Sequence, residues 1–160
     1  MLFRSDQIVA DINGVDSNAV FKLWTLASSL RGVAYVDSNN NGQLDPGELP
    51  IPKVTIRLTG TDAIGDPVER IAVTDQNGQY QFSLLTNGDY TLTEVQPAAY
   101  IDGQATPGTA GGFSATNAIT DILLPAGVDG LDYLFGELGI RPDFISKRLF
   151  LNSTTNQVIP

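Results

Sequence analysis

The chain has 160 residues, 42% of them hydrophobic, and carries eighteen Asp and Glu against nine Lys and Arg, for a net charge of -9. This length is enough for one well-buried core but too short for two full domains. The negative charge repels phosphate backbones and anionic lipid heads, so nucleic acid is not an expected partner. Because the chain contains no cysteine and no histidine, disulfides, thiolate or imidazole metal sites and catalysis by a histidine base are excluded.

The residues 1–30 are expected to form an N-terminal extension. The opening sequence "MLFRSDQIVADING" has one Arg and two Asp before any long apolar run, which does not fit a signal peptide. No apolar run in the chain approaches the length of a membrane span, so no membrane-spanning helix is expected. The chain is therefore either cytoplasmic or a piece of a longer exported protein. The run "AVFKLWTLA" at 19–27 predicts one strand in this extension.

Short runs rich in Val, Ile, Thr, Tyr and Phe then follow one another, separated by Gly and Pro. This is the composition of β-strands bounded by turns. In "KVTIRL", for example, Val54, Ile56 and Leu58 alternate onto one face, as expected of a strand with one buried side. Many short strands with frequent turns predict an all-β sandwich or barrel. The predicted strands lie near 31–36, 53–59, 68–74, 79–84, 89–96, 119–124 and 131–136.

Three stretches between or after these strands have other patterns. "TDQNGQY" contains Asn77-Gly78, a dipeptide typical of a hairpin turn; Asp75 and Asn77 either cap this turn or support a second cation site, and we favour the turn. The stretch 97–118 is rich in Gly and lacks periodicity, which predicts a long irregular loop. The segment 139–160 is expected to be a tail or linker, in which "FISKRLFL" forms either a strand or a short helix.

The stretch "VDSNNNGQLDPGE" matches the spacing of a calcium-binding loop. Counted from Asp37, oxygen-bearing side chains fall at positions one, three, five, nine and twelve, with Gly42 at position six. A loop wrapped around a cation directs alternate side chains inward, the glycine permits a sharp bend, and the last carboxylate closes the shell. The expected calcium ligands are the side chains of Asp37, Asn39, Asn41, Asp45 and Glu48 and the backbone carbonyl of Gln43.

The alternative for this loop is a polar turn in which Asn and Asp side chains satisfy the local backbone. Asp37, Asp45 and Glu48 would repel one another in such a turn, since no Lys or Arg lies between Gly32 and Pro52. Ca²⁺ therefore explains the pattern better, and Mg²⁺ is less suited because it needs a smaller octahedral shell. Strands and prolines, not helices, flank the loop, so bound calcium is expected to stiffen the fold and not to open a helix pair.

Three quoted stretches carry a resemblance to a known family. "RGVAYVDSNNNGQLDPGELPIPKVTIRLTG", "VTDQNGQYQFSLLTNGDYTLTEVQPAAY" and "YLFGEL" resemble the B-type domain of serine-aspartate-repeat (Sdr) surface adhesins, a relative of the collagen-adhesin B-type domain. The resemblance covers about 31–138. It implies a Greek-key, prealbumin-like β-sandwich of about seven strands that binds Ca²⁺ and serves as a spacer in a multidomain protein of the bacterial cell surface or exterior.

The related collagen-adhesin domains often contain a Lys-Asn isopeptide bond promoted by an acidic residue. "YTLTEVQPAAY" resembles the motif that carries this acid and puts Glu94 in its place. The partners are missing, because "RGVAYVD" has no lysine and the last strand has Phe135-Gly136 where an Asn is expected. We therefore expect no cross-link. Glu94 is then a buried acid bonded to backbone or Tyr, or an edge residue.

The sequence thus favours a calcium-binding spacer module that contacts neighbouring domains of a longer surface protein. The alternative is an adhesin module that binds an extracellular protein or glycan, for which aromatic side chains would supply stacking faces. An enzyme is not expected, because acidic pairs are common in an acidic chain and none here has supporting residues. The aromatic residues in question are Trp24, Tyr35, Tyr80, Tyr90, Tyr100 and Tyr133.

Overall fold

The computed structural model describes residues 11–12, 15–16 and 26–145. Two short strands, β1 (Asp11–Ile12) and β2 (Val15–Asp16), pair with each other in antiparallel fashion. The other strands, in chain order, are β3 (Ser28–Val36), β4 (Thr55–Asp62), β5 (Pro67–Val73), β6 (Gln79–Leu85), β7 (Gly88–Val95), β8 (Tyr100–Thr106), β9 (Phe113–Ala115), β10 (Ala118–Leu124) and β11 (Asp129–Ile140). A single helical turn follows at 142–145, and no helix of the described residues is long and apolar enough to cross a membrane.

Nine of these strands form two sheets. One sheet has the order β5-β4-β7-β10-β9 and the other the order β6-β3-β11-β8. The predicted all-β fold, a Greek-key prealbumin-like sandwich, is confirmed, with nine strands in its sheets where about seven were expected.

The core lies between the two sheets because the strands alternate as their sequences indicate. In β4 the side chains of Ile56 and Leu58 are fully buried, and in β7 those of Tyr90 and Leu92 are buried beside them. The four-stranded sheet contributes large apolar residues to the same cluster, among them Leu30, Phe82, Tyr133 and Phe135. Burial of these side chains is the main favourable term in the folding free energy of a domain that has no disulfide.

The first and last strands of the sandwich are neighbours and run in the same direction. β11 pairs with β3 in parallel, from Asp129 opposite Ser29 to Glu137 opposite Val36. The chain therefore enters the sandwich at one end and leaves it at the other. The twelve residues of β11 span about 40 Å at about 3.3 Å per residue.

The prediction of a long irregular loop at 97–118 is wrong, because this stretch contains β8 and β9. β8 pairs with β11, and Gly103 lies so close to the carbonyl of Gly136 that a side chain at this position would collide with it. Glycine is needed there for backbone approach and not for flexibility, which is why its presence misled the sequence interpretation.

The ends of the sandwich differ from the predicted strand limits. β3 begins at Ser28, so that residues 26–27 are not in a strand. The other residues of the strand predicted at 19–27, which are 19–25, lie outside the described residues. β11 continues to Ile140. Of the segment "FISKRLFL", the first two residues lie in the helical turn and the others are not among the described residues.

We expect Leu92→Ala to lower the unfolding free energy by about 2 to 5 kcal/mol, because it removes a fully buried side chain between the sheets and leaves a cavity. Leu123→Ala is the matched control, since Leu123 is 69% exposed on β10 and its truncation should change stability by about 0.5 kcal/mol or less. Urea denaturation followed by fluorescence measures both. Equal losses in the two variants would contradict the assigned core.

Candidate metal centre

The calcium-loop motif forms the connection between β3 and β4, and its base is closed by backbone hydrogen bonds. The amide of Val36 donates to the carbonyl of Leu49 at 2.8 Å, and that of Ile51 donates to the carbonyl of Ala34 at 2.9 Å. The amide of Asp37 donates to the carbonyl of Glu137 in β11 at 2.8 Å. The loop therefore leaves and rejoins the sheet at one place.

Asp37 anchors the loop from within. Its side chain is fully buried, and its two carboxylate oxygens accept hydrogen bonds from the amides of Asn41 at 3.1 Å and Gly42 at 2.7 Å. Gly42 has a φ of 72°, and a Cβ there would lie 2.9 Å from Oγ1 of Thr106 and would also collide with Gln104. Thr106 in turn donates to the carbonyl of Gly42 at 2.8 Å. The loop is thus fixed against the outer face of β8, where only glycine fits.

The side chains of Asn39 and Asn41 both meet that of Asp45. The Nδ2 atoms of Asn39 and Asn41 each donate to Oδ2 of Asp45 at 2.8 Å. Glu48 closes the turn, because its Oε2 accepts the amide of Asp45 at 3.0 Å and its Oε1 accepts the amide of Ser38 at 2.9 Å. The side chains of Asn39, Asn41, Asp45 and Glu48 are therefore all hydrogen-bonded within the loop.

The structure brings some of the proposed ligands together and leaves others apart. Asn39, Asn41 and Asp45 converge, whereas Asp37 and Glu48 are directed at backbone amides. Gln43 is exposed, and its amide donates to Oδ1 of Asn41 at 2.8 Å. Within 26–145, no three acidic side chains are grouped closely enough to hold a metal ion.

The donor set nevertheless fits calcium. Oδ1 of Asn39 accepts the amide of Asn41 at 3.2 Å, and Oδ1 of Asn41 accepts the amide of Gln43 at 2.8 Å. Each of these carbonyl oxygens has a second lone pair that a cation can use. The set consists entirely of oxygens and includes three carboxylates, which is the chemistry that Ca²⁺ prefers. Calcium binding by this loop remains a prediction.

The electrostatics of the loop are one-sided. None of its three carboxylates forms an ion pair in the described part of the chain, where Arg57 and Glu69 pair at 3.2 Å on another strand pair. Tyr35 lies beneath the loop and is fully buried. Its burial, and then the charges of Asp37, Glu48 and Asp45, raise the pKa of the Tyr35 hydroxyl far above its usual value. Negative charge thus accumulates here without a protein counterion.

The second possible cation position, at Asp75, is a hydrogen-bonded turn. Oδ1 of Asp75 accepts the amides of Asn77 at 2.8 Å and Gln79 at 2.9 Å, and the amide of Gly78 donates to the Asp75 carbonyl at 3.0 Å. This is the arrangement that the favoured interpretation describes, in which the aspartate bonds its own backbone.

A buried pair of carboxyl groups, Glu94 and Glu137, lies between the sheets. Glu94 in β7 is 5% exposed and Glu137 in β11 is fully buried. Nε2 of Gln96 donates to Oε2 of Glu137 at 2.8 Å, but Oε1 of each glutamate has no hydrogen-bond donor among the described residues. Two carboxylate oxygens that face each other are both acceptors, so a proton on one of them supplies the missing donor.

Both carboxyl groups hold a proton more tightly than usual. Burial is the main cause of the raised pKa of Glu94, followed by the charge and hydrogen bond of Glu137 and the charge of Asp102. Burial likewise raises the pKa of Glu137, while the hydrogen bond from Gln96 opposes this. The sequence interpretation identified Glu94 but missed Glu137, although alternation from Tyr133 and Phe135 places position 137 on the inward face.

In the described part of the chain, Glu94 has no lysine bonded to it. Lys53 is the one lysine of residues 26–145, and its side chain is exposed. Lys22 and Lys147 lie outside the described residues, so the absence of a cross-link stays a prediction.

The aromatic residues considered for a stacking surface are mostly inside the molecule. Tyr35, Tyr80, Tyr90 and Tyr133 are buried, and Tyr100 is half-buried. Trp24 lies outside the described residues. These tyrosines therefore do not form an exposed face for a glycan.

The sequence is similar to known proteins over most of the sandwich. The profile of the SdrD B-like domain matches residues 28–125. Serine-aspartate repeat-containing protein D of Staphylococcus aureus strain Newman is 29% identical over 126 residues, which is 69% of this chain and 9% of that protein. Serine-aspartate repeat-containing protein C of strain N315 is 34% identical over 98 residues, or 58% of this chain and 10% of that protein. The matched region is thus about a tenth of these relatives.

Two solved structures show a weaker likeness. The minor pilin GBS52 of Streptococcus agalactiae matches with a TM-score of 0.42 and 16% identity, over 77% of this chain and 50% of the pilin. The major plantain pollen allergen Pla l 1 matches with a TM-score of 0.41 and 11% identity, over 72% of this chain and 98% of the allergen.

We expect the stability of the domain to fall as the pH rises above about 4.5, the ordinary pKa of Glu. The raised pKa values of Glu94 and Glu137 mean that the folded chain binds more protons than the unfolded chain over this range, so the unfolding free energy falls by up to about 1.4 kcal/mol per pH unit for each retained proton. Urea denaturation between about pH 5 and pH 8 measures this slope.

Glu94→Gln should make that slope shallower, since a neutral amide replaces one of the two titrating groups and can donate to Glu137. Glu69→Gln is the matched control because the Glu69 side chain is 64% exposed, and its slope should equal that of the unsubstituted chain. An unchanged slope in Glu94→Gln would show that the buried pair does not retain a proton.

We expect the intact mass of the protein to equal the mass calculated from its sequence. An isopeptide bond would release ammonia and lower the mass by about 17 Da. Mass spectrometry of the denatured chain measures the difference, and such a deficit would refute the absence of a cross-link.

Proposed function

Because this chain belongs to the SdrD B-like domain family, we propose that it is a calcium-stabilised spacer module in a multidomain protein of the bacterial cell surface or exterior. The coarser part of this proposal, a structural module of a longer surface protein, is supported by the relatives, in which the matched region is 9% to 10% of the whole protein. Neighbouring domains of the same protein would be its partners.

The path of the chain supports the spacer role. β3 and β11 run parallel side by side, so a preceding domain and a following domain would attach at opposite ends of the sandwich. A module with this connectivity adds its full length to a string of domains. One whose first and last strands were antiparallel neighbours would bring both attachments to one end and add little.

The observation that carries the calcium part of the proposal is the closed loop between β3 and β4. Its base is fixed by hydrogen bonds to β3 and β11, while its three carboxylates have no cationic partner in the described part of the chain. A divalent cation would replace their repulsion by attraction and tie residues 37–48 to one centre. Asp37, Asn39, Asn41, Asp45, Glu48 and the carbonyl of Gln43 would hold the ion, which supplies positive charge and no chemistry of its own.

We propose no catalytic role. The paired acids that could exchange a proton, Glu94 and Glu137, lie in the core and are closed to a substrate. Among residues 26–145, the tyrosines considered for stacking are buried or half-buried, so they do not favour the alternative of a glycan-binding module over the spacer.

We expect one calcium ion to bind per chain with a Kd on the order of 10⁻⁴ to 10⁻³ M, as in extracellular modules. Free calcium a hundredfold above Kd should raise the unfolding free energy by about 2.7 kcal/mol relative to a chelator, since the ion binds the folded state. Glu48→Gln should raise Kd by roughly tenfold or more because ligand charge sets the affinity. Calorimetric titration and thermal unfolding measure both effects.

Glu69→Gln serves again as the control and should bind calcium normally, since Glu69 lies on β5, outside the loop. Limited proteolysis provides an independent readout: without calcium, cleavage should begin between Ser38 and Leu49, where the loop is released. Identical melting temperatures and cleavage patterns in calcium and in chelator would reduce the loop to a polar turn and refute calcium stabilisation.

A further inference from the structure

Tyr35 is the one buried tyrosine of residues 26–145 whose hydroxyl group has no hydrogen-bond partner. Its side chain is fully buried, yet its hydroxyl is unpartnered. The hydroxyl of Tyr80 donates to the carbonyl of Tyr133 at 3.0 Å, that of Tyr90 to Thr86 at 2.9 Å, and that of Tyr133 to Gly111 at 3.1 Å. An unpaired buried hydroxyl destabilises the folded state. The ion-free protein should therefore be at least as stable with phenylalanine at position 35 as with tyrosine.

The position of this hydroxyl points to the metal centre. A Cβ on Gly136 would lie 3.2 Å from the hydroxyl oxygen of Tyr35 and 2.9 Å from Cβ of Asp37. Both side chains therefore pass over the same backbone position of β11, on the face that the loop covers. The carboxylates that act on the hydroxyl electrostatically are Asp37, Glu48 and Asp45, in decreasing order.

We propose that Tyr35 is a positioning residue of the calcium site, whose hydroxyl donates a hydrogen bond to the carboxylate of Asp37 when the ion is bound. This inference rests on the proposed function and adds to the loop a residue that its spacing does not include. Gly136 belongs to the same arrangement, because the absence of a side chain there leaves room for both Tyr35 and Asp37.

The acceptor capacity of Asp37 permits this bond. A carboxylate offers about four lone-pair positions, and the amides of Asn41 and Gly42 occupy two of them. One remains for the cation and one for the hydroxyl. Hydrogen bonds to a ligating carboxylate fix its orientation, and their loss commonly weakens metal binding. The hydroxyl would then be unsatisfied in the ion-free protein and satisfied in the loaded one, so that its contribution appears only with calcium.

The test is Tyr35→Phe, examined by thermal unfolding and by calorimetric calcium titration. In chelator its melting temperature should equal or exceed that of the unsubstituted chain, because an unpaired polar group is removed. In calcium the rise in melting temperature should be smaller, and Kd should increase roughly threefold to tenfold, the loss expected for one net hydrogen bond.

Tyr90→Phe is the matched control, since Tyr90 is equally buried but its hydroxyl is bonded to Thr86 and not to the loop. It should lower the melting temperature by the same amount in calcium and in chelator and leave Kd unchanged. Gly136→Ala is a second variant, whose Cβ would press on Tyr35 and Asp37. It should raise the Kd for calcium and reduce the rise in melting temperature that calcium produces.

The outcomes separate this inference from the function on which it rests. If the unsubstituted chain is stabilised by calcium and Tyr35→Phe gains as much, with the same Kd, the role of Tyr35 is refuted and the spacer proposal stands. If calcium stabilises neither protein, the calcium site itself is refuted. A smaller gain in Tyr35→Phe together with an unchanged gain in Tyr90→Phe supports the inference.

Discussion

The parallel hydrogen-bonded pair of β3 and β11 is the contact on which the other features of this molecule are built. It joins the first and last strands of the sandwich in the middle of one sheet, with β6 and β8 at the edges. The loop leaves this pair at Asp37, whose amide donates to Glu137 of β11. Tyr35 and Asp37 lie over Gly136 of the same strand. If this register shifted by one residue, Asp37 would lose its bond to Glu137, Tyr35 would lose its place over Gly136, and Glu137 would turn away from the core.

Two groups of acids lie on opposite faces of this strand pair and balance their charge in different ways. On the inner face, Glu94 and Glu137 are shielded from water, and a proton shared between them removes one of their two negative charges from the core. On the outer face, Asp37 is buried and Asp45 and Glu48 are partly exposed, and the counterion that we propose for them is a calcium ion. The number of oxygens separates the two groups, because calcium needs several of them, which the loop supplies through Asn39 and Asn41 as well as its carboxylates, whereas a proton needs no coordination shell.

Alternation of apolar residues was sufficient to predict the sandwich and most of its strands, because inward positions such as Ile56, Leu58 and Leu92 leave a clear pattern. It failed at β8, where close backbone contact requires Gly103 and interrupts the pattern. The oxygen spacing identified the loop, but the hydrogen bonds that hold its side chains depend on how the loop folds onto β8. Neither the pairing of Glu94 with Glu137 nor the unsatisfied hydroxyl of Tyr35 can be seen in sequence, since each arises from segments far apart in the chain.

The parallel arrangement of β3 and β11 also determines how the module would respond to tension. A pull on its two ends would act along both strands in opposite directions and would slide one strand past the other. The hydrogen bonds of a parallel pair lie across this direction and are evenly spaced along it, so they would share the load and break together. Separation of an antiparallel hairpin from its open end would instead break them one after another. The rate of forced unfolding would accordingly be set by the whole length of the β3–β11 contact and not by its weakest bond.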